Sequence, residues 1–409
     1  MRNIFSVIGS AFTAFGERIR AKEPRPKNEI EAYRVRIRRH RRAVYLRAAL
    51  IVVVLMLAAV IAFHIYNKRS YDSYEVVKTE ASADNISNYR YVKGKILRYS
   101  ADGASLLKSD LSAVWNVSYN MTQPCVAQFD KTILIYDRRG SDVYVYDNEG
   151  KLGSFATEMP ILYACCSKAG NVACALENGD GMEIAYYSSG GSLIAAVSAS
   201  AVETGYPVAM ALSGNGKKLI VSYITAANGA VSTNLVFYNF QNADRGGKDK
   251  IVANINYSGI VIPDIVFVDD DIAAVYRDNG ISFYNVSGKP SQTASVDVDD
   301  EIVSAFTGER FAGLIFKNKN QIQPYRMEIY TENGKLVSKT DMEIVYDRIS
   351  LCGNEVLLSN SSELAVYTKK GVCRYFGSID EGNLSDVQKL GRNSYLLVTD
   401  MSTNVIELK

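Results

Sequence analysis

ILIYDRRGSDVYVYDNEGKLGSFAT occupies residues 133–157. It reads as an apolar strand, a polar turn, a second strand ending in Tyr, another Gly-bearing turn and a third strand. The pattern returns in IAAVYRDNGISFYNVSGKPSQTASV (272–296) and in EVLLSNSSELAVYTKKGVCRYFGSI (355–379). Aligning the strand before the last turn puts Leu107, Tyr146, Tyr187, Tyr238, Tyr284, Tyr330, Tyr367 and Ile406 in one column, at intervals of 39, 41, 51, 46, 46, 37 and 39 residues. That spacing is the period of a four-stranded propeller blade. The alternating strands and the Asn279-Gly280 and Asn333-Gly334 pairs suit hairpins. Each blade buries two sheet faces, which accounts for continuous apolar runs such as KKLIVSYI (217–224). The recurring Tyr is expected to pack between neighbouring blades.

Eight columns predict an all-β, eight-bladed β-propeller, with seven blades plus an extra hairpin as the alternative. The last repeat ends on its third strand, TNVIELK, and lacks a fourth. YEVVKTEA (74–81) has strand character and no other evident partner. It is expected to supply the missing outer strand and close the ring, because an unpaired edge is a liability.

Upstream, RVRIRRHRRAVYLRAALIVVVLMLAAVIAFHIYNKR (34–69) passes from dense positive charge into an apolar run. Residues 48–66 are broken only by His64, and at about 1.5 Å per residue they span roughly 28 Å, the thickness of a bilayer's hydrocarbon core. Tyr45 and Tyr66 stand at the ends, where aromatic rings favour the interface. Residues 1–47 hold thirteen Lys or Arg against four Glu. The positive-inside rule then places the N-terminus in the cytoplasm and the C-terminal part outside. The run is followed by no small-x-small cleavage site, which argues against a removed signal. The expected division is a basic cytoplasmic segment (1–46), a single transmembrane helix (47–66) and an extracytoplasmic propeller (67–409) closed by strand 74–81.

The basic stretch, residues 18–47, suits anionic inner-leaflet lipids. Ile4, Ile8, Phe12, Phe15 and Ile19 form one helical stripe, fitting an amphipathic helix on the membrane or against a cytoplasmic partner. Residues 21–28, with Pro24 and Pro26, read as a linker. The remainder of the chain is mildly acidic, which argues against nucleic-acid binding.

Both histidines, His40 and His64, precede the repeats. Ser-His-Asp and Cys-His catalysis and His-based zinc sites are thereby excluded from the propeller. Carboxylate chemistry stays open. The clusters Asp269-Asp270-Asp271 and Asp297-Asp299-Asp300-Glu301 lack the spacing of a calcium loop and suit solvated turns. The single Trp, Trp115, argues against the Trp-rich blades of quinoprotein dehydrogenases. No cofactor is expected. The six cysteines show no CxxC spacing; Cys166 and Cys174 could face each other across a hairpin, or all could be buried free thiols.

YEVVKTEA and ILRYSADGASLLKSDLSAVWNVSYNMTQP (96–124), following the anchor, resemble a family of single-pass, propeller-bearing membrane proteins of Firmicutes-type bacteria, classed as a domain of unknown function. The resemblance covers most of the chain from the anchor onward. It implies a location in the bacterial cell envelope and brings no reaction, ligand or catalytic residue.

The expected function is a membrane-tethered extracytoplasmic interaction platform, binding an envelope protein or glycan at the propeller mouth. The alternative is a glycan-active enzyme using carboxylates in the channel. The mouth is expected at loops joining second to third strands and at loops entering each first strand. There the candidate partner-binding residues are Arg138, Arg139, Asp180, Arg277, Lys317, Tyr346 and Arg348. Arg grips anions bidentately and Tyr stacks on sugar or peptide faces, so this mouth is expected to favour an anionic or glycan-bearing partner.

Overall fold

The repeat column has a physical cause that the backbone makes visible. In every blade the third and fourth strands slip register beside the column residue. One residue of the outer strand is left unpaired there: Val114, Leu152, Ile194, Val252, Thr293, Val337, Arg374 and, in the last blade, Val77. A bulge bends its strand and tightens the local twist. The large ring at the end of the third strand is buried between blades at that bend. Tyr146, Tyr187, Tyr238, Tyr284, Tyr330 and Tyr367 are all buried. Trp115 stacks on Tyr146 of the following blade at 4.3 Å, and Phe155 lies 4.9 Å from Tyr187.

The computed structural model describes residues 29–67, 70–81, 87–179, 181–200, 204–227, 229–241 and 250–409. The amphipathic stripe at 1–20 and the linker at 21–28 lie outside them. Two units are present, Met1–Arg69 and Ser70–Lys409. In the first, helix α1 (Glu29–Asn67) runs 39 residues, about 58 Å. Within it His40–Val60 is long and apolar enough to cross a membrane, and its side chains are exposed.

The second unit is eight four-stranded antiparallel sheets. Seven are contiguous: 88–118, 124–156, 161–200, 206–258, 264–297, 302–342 and 348–378. The eighth joins Leu384–Lys389, Ser394–Thr399 and Ser402–Leu408 to Tyr74–Ala81. In that last pairing Tyr74 faces Leu408 and Ala81 faces Ser402, and the blade's bulge is kept between Val76 and Lys78. The chain is therefore an eight-bladed β-propeller, whose seven-bladed alternative is ruled out by the eight sheets. First strands of blades 2, 3, 4 and 5 touch in turn, as do those of blades 6, 7, 8 and 1, and the contact between blades 8 and 1 joins the two ends of the domain.

Eight apolar clusters fill the eight seams, one for each pair of adjacent blades. They are unequal. The seam between blades 3 and 4 holds fifteen buried apolar residues, that between blades 7 and 8 thirteen, and that between blades 8 and 1 five.

Strand order fixes two faces. Turns joining first to second and third to fourth strands share one, the rear face. Loops joining second to third strands, and those leading into the next blade, share the other, the front face or mouth.

Candidate functional site

Every described candidate from the sequence lies in, or at the edge of, a front-face loop, but the roles differ. In blade 2 the strand Thr132–Asp137 ends in the turn 138–141. Asp137 is buried, and its carboxylate accepts the backbone N–H groups of Gln123 (2.7 Å) and Thr122 (3.2 Å), tying this turn to the neighbouring loop. A side chain at Gly140 would collide with that carboxylate, so the turn needs glycine there. Arg138 and Arg139 are exposed. Arg139 has φ +64°, a conformation that L-residues adopt sparingly. The Arg138 guanidinium lies 5.1 Å from the centre of the Tyr163 ring, on the first strand of blade 3. That is a cation–π arrangement on a half-buried ring that packs against the seam between blades 3 and 4.

Tyr346 and Arg348 flank the entry to blade 7. The Tyr346 hydroxyl meets Ser304 Oγ at 2.8 Å, and its ring stands edge-on to Tyr325 at 4.9 Å. Arg348 is exposed and donates to Leu384 O on the first strand of blade 8 (3.2 Å). Lys317 is exposed at the end of Phe311–Lys317. Asp180 lies outside the described residues.

Arg277 stands apart. It is buried, with 6% of its surface exposed, and its Nη2 donates to Asp297 Oδ1 (2.6 Å) and Ser295 Oγ (3.0 Å). The Arg277 hydrogen bond holds the Asp297 carboxyl below its ordinary range. Arg277 thus clasps the outer strand of its own blade. Its burial follows from Gly280, which has φ +143° and where a Cβ would strike Val296 O; the hairpin folds tightly over the guanidinium.

Sorting charges by face gives a result that reading along the chain hides. Among the described residues, the front-face loops carry three Lys or Arg (Arg138, Arg139, Lys319) and eleven Asp or Glu. The mouth is acidic, with a few exposed cations set into it. The expectation of an anion-attracting mouth is not what this balance favours.

First strands add polar groups to the channel that the sequence reading passed over. Arg90 sits on Asn88–Val92 and donates to Val126 O of blade 2. Asp264 opens the strand Asp264–Phe267 with its side chain still reached by water, and partial desolvation by the surrounding protein raises its carboxyl. Asp386 lies within Leu384–Lys389. Desolvation pushes its carboxyl up to about 6, against the pull of Gln388, the Val387 N–H and Arg348. Such a group exchanges a proton near neutral pH. The signal available in sequence was a lone carboxylate in a short first strand, Asp264 in DIVF and Asp386 in LSDVQK.

The rear end of the channel is cross-braced. Lys93 of blade 1 pairs with Asp130 of blade 2 (3.1 Å) and Glu309 of blade 6 (3.6 Å). Lys168 of blade 3 pairs with Asp270 of blade 5 (3.1 Å) and sits over the Phe129 ring. Partners from non-neighbouring blades can meet only across the axis. Lys93 and Asp130 hold φ +45° and +54° in two-residue hairpins, the sign that a tight primed turn requires.

Asp300 is paired with Arg326, and among the described residues no three metal-ligating side chains converge. The cysteines are free thiols. Cys174 faces Ala164 and Cys166 faces Val172, so the two do not oppose each other. Burial pushes the Cys166 and Cys352 thiols up to about 12, which leaves them unreactive.

The sequence over residues 67–408 matches DUF5711, a family of unknown function. The chain belongs to that family. No curated protein matches it significantly. Among solved structures it is similar to BamB from Moraxella catarrhalis, at 10% identity with TM-score 0.49, covering 82% of this chain and 100% of that one. A eukaryotic initiation factor gives 11% identity and TM-score 0.49, covering 83% and 88%. The WD40 domain of Neurospora crassa Pan2 gives 10% and 0.42, covering 70% and 88%. Likeness at this level says nothing of what a DUF5711 member binds.

Proposed function

We propose that this DUF5711 protein is a membrane-tethered interaction platform of the cell envelope. Its propeller lies outside the membrane, and a protein or glycan partner binds at the front-face mouth. The observation that carries the reading is the mouth itself. Arg138, Arg139, Lys317 and Arg348 are exposed on one face. Two of them border first strands, with Tyr163 and Tyr346 beside them. Guanidinium groups beside aromatic rings suit recognition of sugars and peptides. The acidic surround favours a neutral glycan or a partner with basic groups over a polyanion. The orientation is supported by the excess of Lys and Arg before the span. The basic segment at 18–47 would then meet anionic inner-leaflet lipids.

The test is partner capture by crosslinking in intact cells. Replacing Arg138, Arg139 and Arg348 together with Ala should abolish capture and leave the melting temperature of the propeller unchanged. Arg277→Ala serves as the contrast, because it should lower the melting temperature through the clasp. Undiminished capture by the triple variant would move the binding surface off the mouth.

A further inference from the structure

The rear face differs from the mouth in charge and in what the chain does there. Its turns carry twelve Lys or Arg against nine Asp or Glu among the described residues. Several of those carboxylates are already engaged. Asp130 and Glu309 hold Lys93, Asp270 holds Lys168, and Glu332 holds Arg310. Around the rim, Lys108, Lys131, Lys217, Lys289, Lys335 and Lys370 are exposed, each on a different blade.

The chain also enters the propeller at this face. Tyr71 is buried, and its N–H donates to Arg374 O near the rear end of blade 7 (2.6 Å). Asp72 and Ser73 donate to Lys409 O, and Lys409 N donates back to Ser73 O. Leu408, opposite Tyr74, donates to Asn393 O in the rear turn of blade 8. The apolar helix ends at Asn67. Three residues lie between Asn67 and Tyr71, and the four Cα–Cα steps reach about 14 Å at full extension. Screening at physiological salt acts over about 8 Å, and so short a tether lets this face approach the bilayer within that distance, where its cations feel the surface potential.

We propose that the rear face rests on the anionic lipid headgroups of the bilayer that holds α1. This rests on the reading of α1 as a membrane span, and it gives the mouth its direction. The lysine rim is drawn to the headgroup phosphates, and the acidic front face is repelled by them. The mouth then faces away from the membrane, toward envelope material. The proposal concerns which face meets lipid, so it stands or falls separately from what the mouth binds.

Hydrogen exchange on the full chain in nanodiscs tests it. Discs of phosphatidylcholine alone are compared with discs that also contain phosphatidylglycerol. Backbone amides of the rear turns bearing the six lysines should exchange about tenfold more slowly in the anionic discs, with no change in the front loops. Raising salt to about 0.5 M should remove the difference. Reversing all six lysines to Glu should remove it too. If that variant folds poorly, the salt titration of the unaltered protein still decides. The Arg138, Arg139 and Arg348 triple Ala variant should keep the full difference, which separates this idea from the mouth reading. Equal exchange in both discs, or slowing at the front loops, would overturn the proposal. Equal slowing by soluble polyphosphate with phosphatidylcholine discs would assign the rim to a free polyanion and overturn it as well.

Discussion

Blade 8 is held by two seams built on different principles. On one side, blades 7 and 8 bury thirteen apolar residues around an ionic centre. Glu355, 3% exposed, accepts from Arg374, from Lys389 (2.7 Å) and from the Tyr395 hydroxyl (2.7 Å). Arg374 in turn donates to the Tyr71 hydroxyl (3.0 Å) and lies over its ring. On the other side, blades 8 and 1 share only five buried apolar residues. They add the hydrogen bond from Gln388 Nε2 to Tyr89 O (3.4 Å) and the reluctant carboxylate of Asp386. The difference shows where a ring closed from the two ends of its domain stays shut. The segment leading into the closing strand docks in the strong seam through buried Tyr71, and Tyr74 packs against the same cluster. The weak seam is where the ring should open first.

Removing residues 74–81 should have the largest effect. It strips the last blade of its outer strand and exposes the edge of Ser402–Leu408, a ready template for aggregation. The expected result is loss of a single cooperative melting transition, with aggregation at lower temperature than the intact chain. A variant that melts at the same temperature would mean that blade 8 is stable with three strands.

The next test sets the seams against each other. Glu355→Ala leaves Arg374 and Lys389 without their shared carboxylate in a dry seam, which should cost about 3–5 kcal/mol. Leu396→Ala in the weak seam removes one fully buried side chain, at about 2–3 kcal/mol where so small a cluster can partly collapse. Denaturant midpoints measure both. A larger loss for Leu396→Ala would reverse the ranking of the seams. The unpaired bulge residue explains why the ionic centre sits where it does. Arg374 alone is charged among the eight. The bulge leaves it out of register with the third strand, and its guanidinium reaches the Glu355 carboxylate.

The fold was legible because its signal repeats. A Tyr at one place in six of the eight blades, with Leu107 and Ile406 in the other two, survives variation in turn length, since the bulge and seam at that place need a large apolar side chain in every copy. The closing strand could be inferred because one blade lacked a strand and one strand lacked a blade. The site was less legible. Arg277 beside Asp278 and Asn279 looks like a solvated turn, and only the fold of the hairpin over Asp297 shows it buried. The charge of the mouth could not be read along the chain, because its eleven carboxylates are scattered over loops that become neighbours only once the ring closes. Glu355 gave no sign at all: in EVLLS it begins an apolar strand, and its cations lie 19 and 34 positions downstream.

The smallest expected effect concerns the pH response of the weak seam. Asp386 titrates near 6 in the folded chain, because burial opposes its charge, whereas an unfolded Asp titrates near about 3.9. Between those values the folded state holds the extra proton, so this group's contribution to stability declines as pH rises from about 4 to about 6 and is level above. The groups that face it decide how steep the decline is. Gln388 Nε2 donates to its Oδ1 (3.1 Å), as does the Val387 N–H (2.7 Å), and Arg348 from blade 7 favours the charged form. Asp386→Asn keeps the shape and removes the titration. Amide exchange at Tyr89–Val92, the blade 1 side of the seam, should quicken from pH 4 to 6 beyond its intrinsic rate in the parent chain. In Asp386→Asn it should follow the intrinsic rate alone. The seam between blades 3 and 4 serves as the reference, so the same pH step should leave amides of Lys218–Ala227 at their intrinsic dependence. Matching behaviour in the two seams would remove Asp386 as the cause and would undo the contrast between them.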